Sequence, residues 1–109
     1  MFTKTIISFL AAASAASAFT VTLFTEPKFK GNKYKVEIGD WECLSGKDID
    51  YDTNPHFWSA VGPKDAVCTY YADYGCTGIN TGLVSGDVTI FDRQFDPDGV
   101  YSVTCGVMA

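Results

Sequence analysis

Four cysteines and one histidine carry most of the chemistry open to this sequence. Cys43, Cys68, Cys76 and Cys105 include no Cys-x-x-Cys pair, and His56 is the only imidazole. Tetrahedral zinc sites rely on closely spaced ligand pairs, so a metal reading has no support. A hydrolytic triad would have to recruit His56 with Ser59 or with a cysteine. A lone histidine between Pro55 and Phe57 reads instead as a structural residue. Asp48-x-Asp50-x-Asp52 imitates the start of an EF-hand loop. Thr53 replaces the required glycine and Ser59 the closing carboxylate, so a solvated acidic loop is expected. Carboxylates are numerous enough to argue a glycosidase pair, and phosphoryl transfer would have only Arg93 beside His56. A short β-rich chain leaves little room for a cleft that buries such groups. No catalytic, cofactor-binding or metal-ligating residue is assigned.

One cluster suits binding. Lys28, Lys30, Lys33 and Lys35 gather in an otherwise acidic chain. They could dock an anionic polysaccharide, a phospholipid or a membrane receptor. The same pattern also fits an edge strand that lysines protect against aggregation.

The first residues read as a secretory leader. Lys4 precedes an apolar run from Thr5 to Ala13, and Ala16-Ser17-Ala18 has the small-x-small form of a signal peptidase site. Residues 1–18 are the predicted signal peptide and residues 19–109 a single mature domain. No later segment is apolar for long enough to span a bilayer as a helix. An even number of cysteines in an exported chain predicts two disulfides, with three connectivities open. Removal of Lys4 leaves seven basic against 13 acidic side chains, a net charge of −6. Such a protein repels nucleic acid and anionic lipid at long range, so a nucleic-acid partner is not expected.

The elements that must position these residues are mainly strands. Thr20 to Phe24 is rich in β-branched and aromatic residues. Lys33, Lys35 and Glu37 alternate with Tyr34, Val36 and Ile38, which predicts a half-buried strand. Further strands are predicted at 58–61, 66–71, 83–84, 88–91 and 100–107, with short helical turns at 47–53 or 92–95. The chain also repeats. Residues 24–40 recur at 71–87 with a constant offset of 47: Phe24 matches Tyr71, Gly31 matches Gly78 and Asp40 matches Asp87. A second echo sets Phe57-Trp58-Ser59-Ala60-Val61 against Val100-Tyr101-Ser102-Val103-Thr104.

Phe24-x4-Phe29-x-Gly31 and Tyr71-x4-Cys76-x-Gly78, each followed by a serine on a later strand, resemble the Greek-key motif of the βγ-crystallin superfamily. Among its members the chain looks like the small secreted, fungal-type, killer-toxin-like two-motif domains. The resemblance implies an all-β Greek-key β-sandwich, with motif 1 at about 19–64 and motif 2 at about 66–109. It also implies that each motif lends its third strand to its partner's sheet. That exchange would lay Cys43 beside the last strand, giving Cys43–Cys105 and leaving Cys68–Cys76. Many βγ-crystallins bind calcium through paired Asp/Asn and Ser/Thr-Ser. Here Asp40-Trp41-Glu42-Cys43-Leu44-Ser45 and Asp87-Val88-Thr89-Ile90-Phe91-Asp92 have lost half of that pattern, so no cofactor is expected.

These readings imply a secreted, extracellular, non-enzymatic effector or toxin-like protein acting on a host or competing microbe through surface binding. Its partner would be an extracellular target such as a cell-surface component or polysaccharide. The alternatives are an inert or stress-protective crystallin-like protein and, last, a small secreted hydrolase.

Overall fold

The computed structural model describes residues 18–108. The predicted leader therefore lies outside the described residues, apart from Ala18. That residue opens the first strand, opposite Gly39.

Two antiparallel sheets share one core. Strand β1 (Ala18–Glu26) pairs with β2 (Lys30–Gly39) on one side and with β4 (Ser59–Val61) on the other. The β1–β2 register sets Phe19 opposite Ile38, Val21 opposite Val36 and Leu23 opposite Tyr34. These apolar pairs face inward, while Thr22 meets Lys35 and Thr20 meets Glu37 on the outer face. The predicted alternation is present, extended by several residues at both ends of the hairpin. The second sheet has the order β3 (Cys43–Ser45), β8 (Ser102–Gly106), β5 (Val67–Asp73) and β6 (Thr77–Asn80), with β7 (Val84–Ser85) also on β5. Helix α1 (Gly46–Ile49) follows β3, and a 3-10 turn spans Arg93–Phe95. Both lie where helical turns were predicted.

The strand exchange is present. β3 comes from the first copy yet pairs with β8 of the second, Leu44 opposite Val103. In return Val88 of the second copy bridges Ala60 of β4, with hydrogen bonds of 2.8 and 3.0 Å. The strand predicted at 88–91 does not form beyond that bridge. Its hydrogen bonds are divided: Thr89 accepts from the Lys28 N–H at 2.8 Å, and the Phe91 N–H donates to Trp58 at 3.0 Å. A ladder needs one continuous neighbour, and this segment is divided between two, the 58–60 stretch and the turn at Lys28.

Each copy folds its first hairpin over in the same way. Lys28 and Phe29 have φ of 61°, and Gly31 has 81°. Gly75, Cys76 and Gly78, at an offset of 47, have 72°, 58° and 85°. A serine from the closing strand locks each turn. The Ser59 hydroxyl donates to the Glu26 carbonyl at 2.6 Å and accepts from the Phe29 N–H at 3.0 Å. Ser102 does the same for Asp73 at 2.6 Å and Cys76 at 2.9 Å. Both serines are buried, so each latch satisfies backbone groups that water does not reach.

The core between the sheets holds Val21, Leu23, Ile38, Phe57, Tyr70, Phe91, Phe95 and Val103, together with Cys68 and Cys105. Tyr70 is fully buried, and its hydroxyl has no hydrogen-bond partner among the described residues. Burial, aided by the charge of Asp87, pushes its phenol well above the ordinary value. The charged form is the disfavoured one, so the unfolded chain ionises first as pH passes about 10. Stability is unaffected below that pH and falls above it, by up to about 1.4 kcal/mol per pH unit from this residue. Tyr70→Phe is expected to flatten the alkaline limb when urea midpoints are compared at about pH 8 and about pH 11. An equally steep limb in the variant would refute this assignment.

Candidate functional site

The disulfides are Cys43–Cys76 and Cys68–Cys105, not the Cys43–Cys105 and Cys68–Cys76 that the family resemblance implied. The register explains the correction. β3 does lie beside β8, as expected, but Cys43 stands opposite Thr104. Successive residues of a strand face opposite sides, so Cys43 and Cys105 point away from each other. Cys105 is instead the direct partner of Cys68 across β5–β8. Both are buried in the core, whereas Cys43 is exposed. Cys76 occupies the place of Phe29. In the first copy that ring packs edge-on against Phe24, with centroids 5.6 Å apart. In the second copy the same position is bonded to Cys43, so the tip of the folded hairpin is stapled to the strand borrowed from the first copy.

That staple organises the 46–56 segment. The Asp48 carboxylate accepts from the Ser45 N–H at 2.9 Å and completes a capping box for α1. The Ser45 hydroxyl accepts from the Gly75 N–H at 3.0 Å, joining α1 to the second-copy hairpin. Asp50 accepts from the N–H groups of Thr53 and Asn54, and the Asn54 side chain accepts from the Tyr101 hydroxyl. The Asp48 and Asp50 carboxylates therefore cap and close a loop. Among the described residues no three His, Cys, Asp or Glu side chains are placed to hold a metal.

A run of rings lies over this frame. His56 stacks on Tyr101 with centroids 4.5 Å apart, and Tyr101 lies 6.2 Å from Tyr74. The Lys47 ammonium stands 5.7 Å from the Tyr74 ring and 6.0 Å from that of Tyr51. Tyr51 is 75% exposed and Tyr74 56%. Neither was singled out from the sequence. One signal pointed to their surroundings: the repeat offset falls from 47 at Asp40/Asp87 to 43 at Ser59/Ser102, so the first copy carries extra chain between those points.

The calcium-type loops do not fit the ion. In the first, the Glu42 carboxylate is spent on the Gly39 N–H at 3.0 Å, and the Ser45 hydroxyl is spent on Gly75. The Trp41 indole lies against Gly106, and Leu44 packs on the core. In the second, Asp87 accepts from the Gly62 N–H at 3.2 Å, Asp92 from Gln94 at 3.0 Å, and Phe91 is buried. A hard cation needs several free oxygens around one point. Here Trp41, Leu44, Val88 and Phe91 hold four of the ligand places, and Glu42, Ser45, Asp87 and Asp92 are hydrogen-bonded elsewhere.

The four lysines are all exposed, within and just before one strand. Lys33 and Lys35 share the outer face of β2, while Lys30 starts that strand and Lys28 sits at the hairpin turn. β2 is an edge strand, the position that lysines commonly protect. His56 is held by its stack on Tyr101, and the latch bonds above occupy the Ser59 hydroxyl, so a nucleophilic pair is not assembled from them.

The exchanged strands, paired folded hairpins and serine latches define a βγ-crystallin fold. Solved structures share it at low identity. A βγ-crystallin domain from Clostridium beijerinckii matches with a TM-score of 0.63 and 15% identity, covering 80% of this chain and 97% of that one. A βγ-crystallin domain from Flavobacterium johnsoniae matches with a TM-score of 0.62 and 16% identity, over 80% and 93%. Hahellin, a βγ-crystallin, matches with a TM-score of 0.56 and 18% identity, over 84% and 97%. No protein family pattern matches the sequence, and no curated protein matches it significantly.

Proposed function

We propose that this chain is a secreted, non-enzymatic binding protein, effector-like or toxin-like, that acts on a host or a competing microbe through surface recognition. One observation carries the reading. The two copies share the folded hairpin and its serine latch, yet a disulfide ties the loop of the first copy to the hairpin of the second, and the two segments hold one exposed tyrosine ring each, Tyr51 and Tyr74. Large exposed rings on a small soluble domain commonly mark a contact surface. Two disulfides suit an oxidising compartment outside the cell, and among the described residues no helix is long and apolar enough to cross a membrane. The test applies the 19–109 protein, disulfides intact, to plant tissue and to competing microbes at micromolar dose. Cell death, an immune response or growth inhibition is expected, and it disappears when the protein is reduced and alkylated. No response in any of these would overturn the proposal in favour of an inert extracellular crystallin-like protein. Changing Lys28, Lys30, Lys33 and Lys35 together to Glu is expected to leave the response in place. A loss of response would move the contact surface to β2.

A further inference from the structure

Tyr51 and Tyr74 are 23 positions apart in sequence and belong to different copies. They flank one ammonium group, Lys47, at 6.0 and 5.7 Å from their ring centres. Nothing in the two-sheet scaffold requires this. The rings are brought together by the Cys43–Cys76 bond and the Ser45–Gly75 hydrogen bond. The Tyr101 ring, held by Asn54 and His56, extends the surface inward. Much of the ordering cost of a binding surface has thus been met before any ligand arrives.

The chemistry of the rim decides what fits. Asp48, Asp50 and Asp52 neighbour Tyr51 along the chain and Asp73 adjoins Tyr74, in a 19–109 domain whose 13 acidic side chains outnumber its seven basic ones. Phosphate backbones and anionic headgroups are therefore repelled, although bases and acyl chains could use the aromatic surface. Two exposed rings surrounded by acids fall well short of the roughly 800 Å² per side that a stable protein interface buries. A sugar ring matches better. One of its faces is a patch of polarised C–H groups, which the negative face of an aromatic ring attracts. Its edge is a belt of hydroxyls, which the exposed Asp52 carboxylate and Lys47 ammonium can meet as acceptor and donor.

We propose that Tyr51 and Tyr74 form a stacking platform for a glycan that carries no acidic groups. The proposal rests on the surface-recognition reading above and names its ligand class. The acidic rim admits both uncharged and amino-bearing sugars, and the choice between them is an arm of the test.

The experiment titrates the disulfide-intact 19–109 protein by calorimetry. The ligands are neutral β-glucan oligosaccharides, N-acetylglucosamine oligomers, their deacetylated forms and a polygalacturonate. Saturable binding to at least one non-acidic ligand is expected. Tyr51→Ala and Tyr74→Ala should each weaken it about tenfold, and the melting temperature should stay close to that of the parent because both rings are exposed. Preference for the deacetylated form would assign the acids to an ammonium partner; equal binding of the acetylated form would assign the contact to the ring faces. Three results would overturn the proposal: no saturable binding to any non-acidic ligand, binding to polygalacturonate alone, or unchanged affinity in the double variant. A cellular response without glycan binding would sink this inference and leave the wider reading standing. Glycan binding without any cellular response would do the reverse.

Discussion

Replacing Cys68 and Cys105 together with alanine is expected to leave the 19–109 domain largely unfolded at 37 °C. Replacing Cys43 and Cys76 in the same way should leave a cooperative fold with a lower melting temperature. Loop length does not separate the two bonds. Their sequence separations are 37 and 33 residues, so the chain-entropy model assigns each about 4 kcal/mol. Burial does separate them. Cys68 and Cys105 are 1% and 0% exposed and pack with Val103, Tyr70 and the rest of the core, so their loss also leaves unfilled volume. That adds about 1–2 kcal/mol. A domain of this size has roughly 5–14 kcal/mol of stability in total, and a loss of about 5–6 exhausts the lower part of that range. Cys43 is exposed, and its removal leaves the core packing intact. Thermal melts of the two double variants followed by circular dichroism decide the matter. The core pair should fall below the surface pair by about 4–16 °C, the shift that about 1–2 kcal/mol produces in a domain of this size. An equal or larger drop for the surface pair would show that the exchanged strand β3, not the core, limits stability.

The same register that ranks the disulfides also bounds what sequence reading could reach. Alternation between lysines and apolar residues at 33–38 identified β2, because a one-faced strand leaves a period-two pattern. The aromatic, glycine and serine frame identified both folded hairpins and the sandwich they build. Pairing of the cysteines was not legible. The resemblance placed β3 beside β8 correctly, but a one-residue shift in register changes which face every side chain takes. Nothing in Cys43-Leu44-Ser45 distinguishes pairing with Thr104 from pairing with Cys105. At 88–91, a β-branched and aromatic run is shared between two neighbours, the 58–60 stretch and the turn at Lys28, a matter of tertiary geometry that propensity does not describe.

The tyrosine platform was hidden by that same pairing. A Cys68–Cys76 bond would have tied the second hairpin to its own strand. The observed Cys43–Cys76 bond carries the hairpin tip across to α1, and only then does Tyr74 come near Lys47 and Tyr51. The 47–57 loop was recognisable as a place where the copies differ. Its partners across the copy boundary depend on the Cys43–Cys76 bond and the Ser45–Gly75 hydrogen bond, so the site follows from long-range links and not from any local motif.

Gly31→Ala is expected to destabilise the domain by about 3 kcal/mol, and Gly78→Ala by about half as much. The two glycines are repeat equivalents with φ of 81° and 85°, so the left-handed backbone costs an alanine the same in both. Their surroundings differ. At Gly31 a new Cβ would stand 2.4 Å from the Thr25 hydroxyl and 3.2 Å from the Glu26 backbone nitrogen. That hydroxyl already accepts from the Asn32 N–H at 2.9 Å, so moving it breaks a bond as well as a contact. At Gly78 the nearest atom, at 2.2 Å, is a carboxylate oxygen of Asp73, the end of an exposed side chain that can rotate into solvent. Removing that neighbour isolates the steric part. Asp73→Ala should recover most of the Gly78→Ala loss beyond the backbone cost, a double-mutant cycle read from urea midpoints. Equal losses at both glycines, with no coupling to Asp73, would mean that backbone strain alone sets the penalty. The steric reading would then fail. If instead the losses differ as expected, the duplicated hairpins share a conformation while the copies have diverged in the side chains that enclose it. The second hairpin, which carries Cys76 and Tyr74, is then the one with more freedom to accept change.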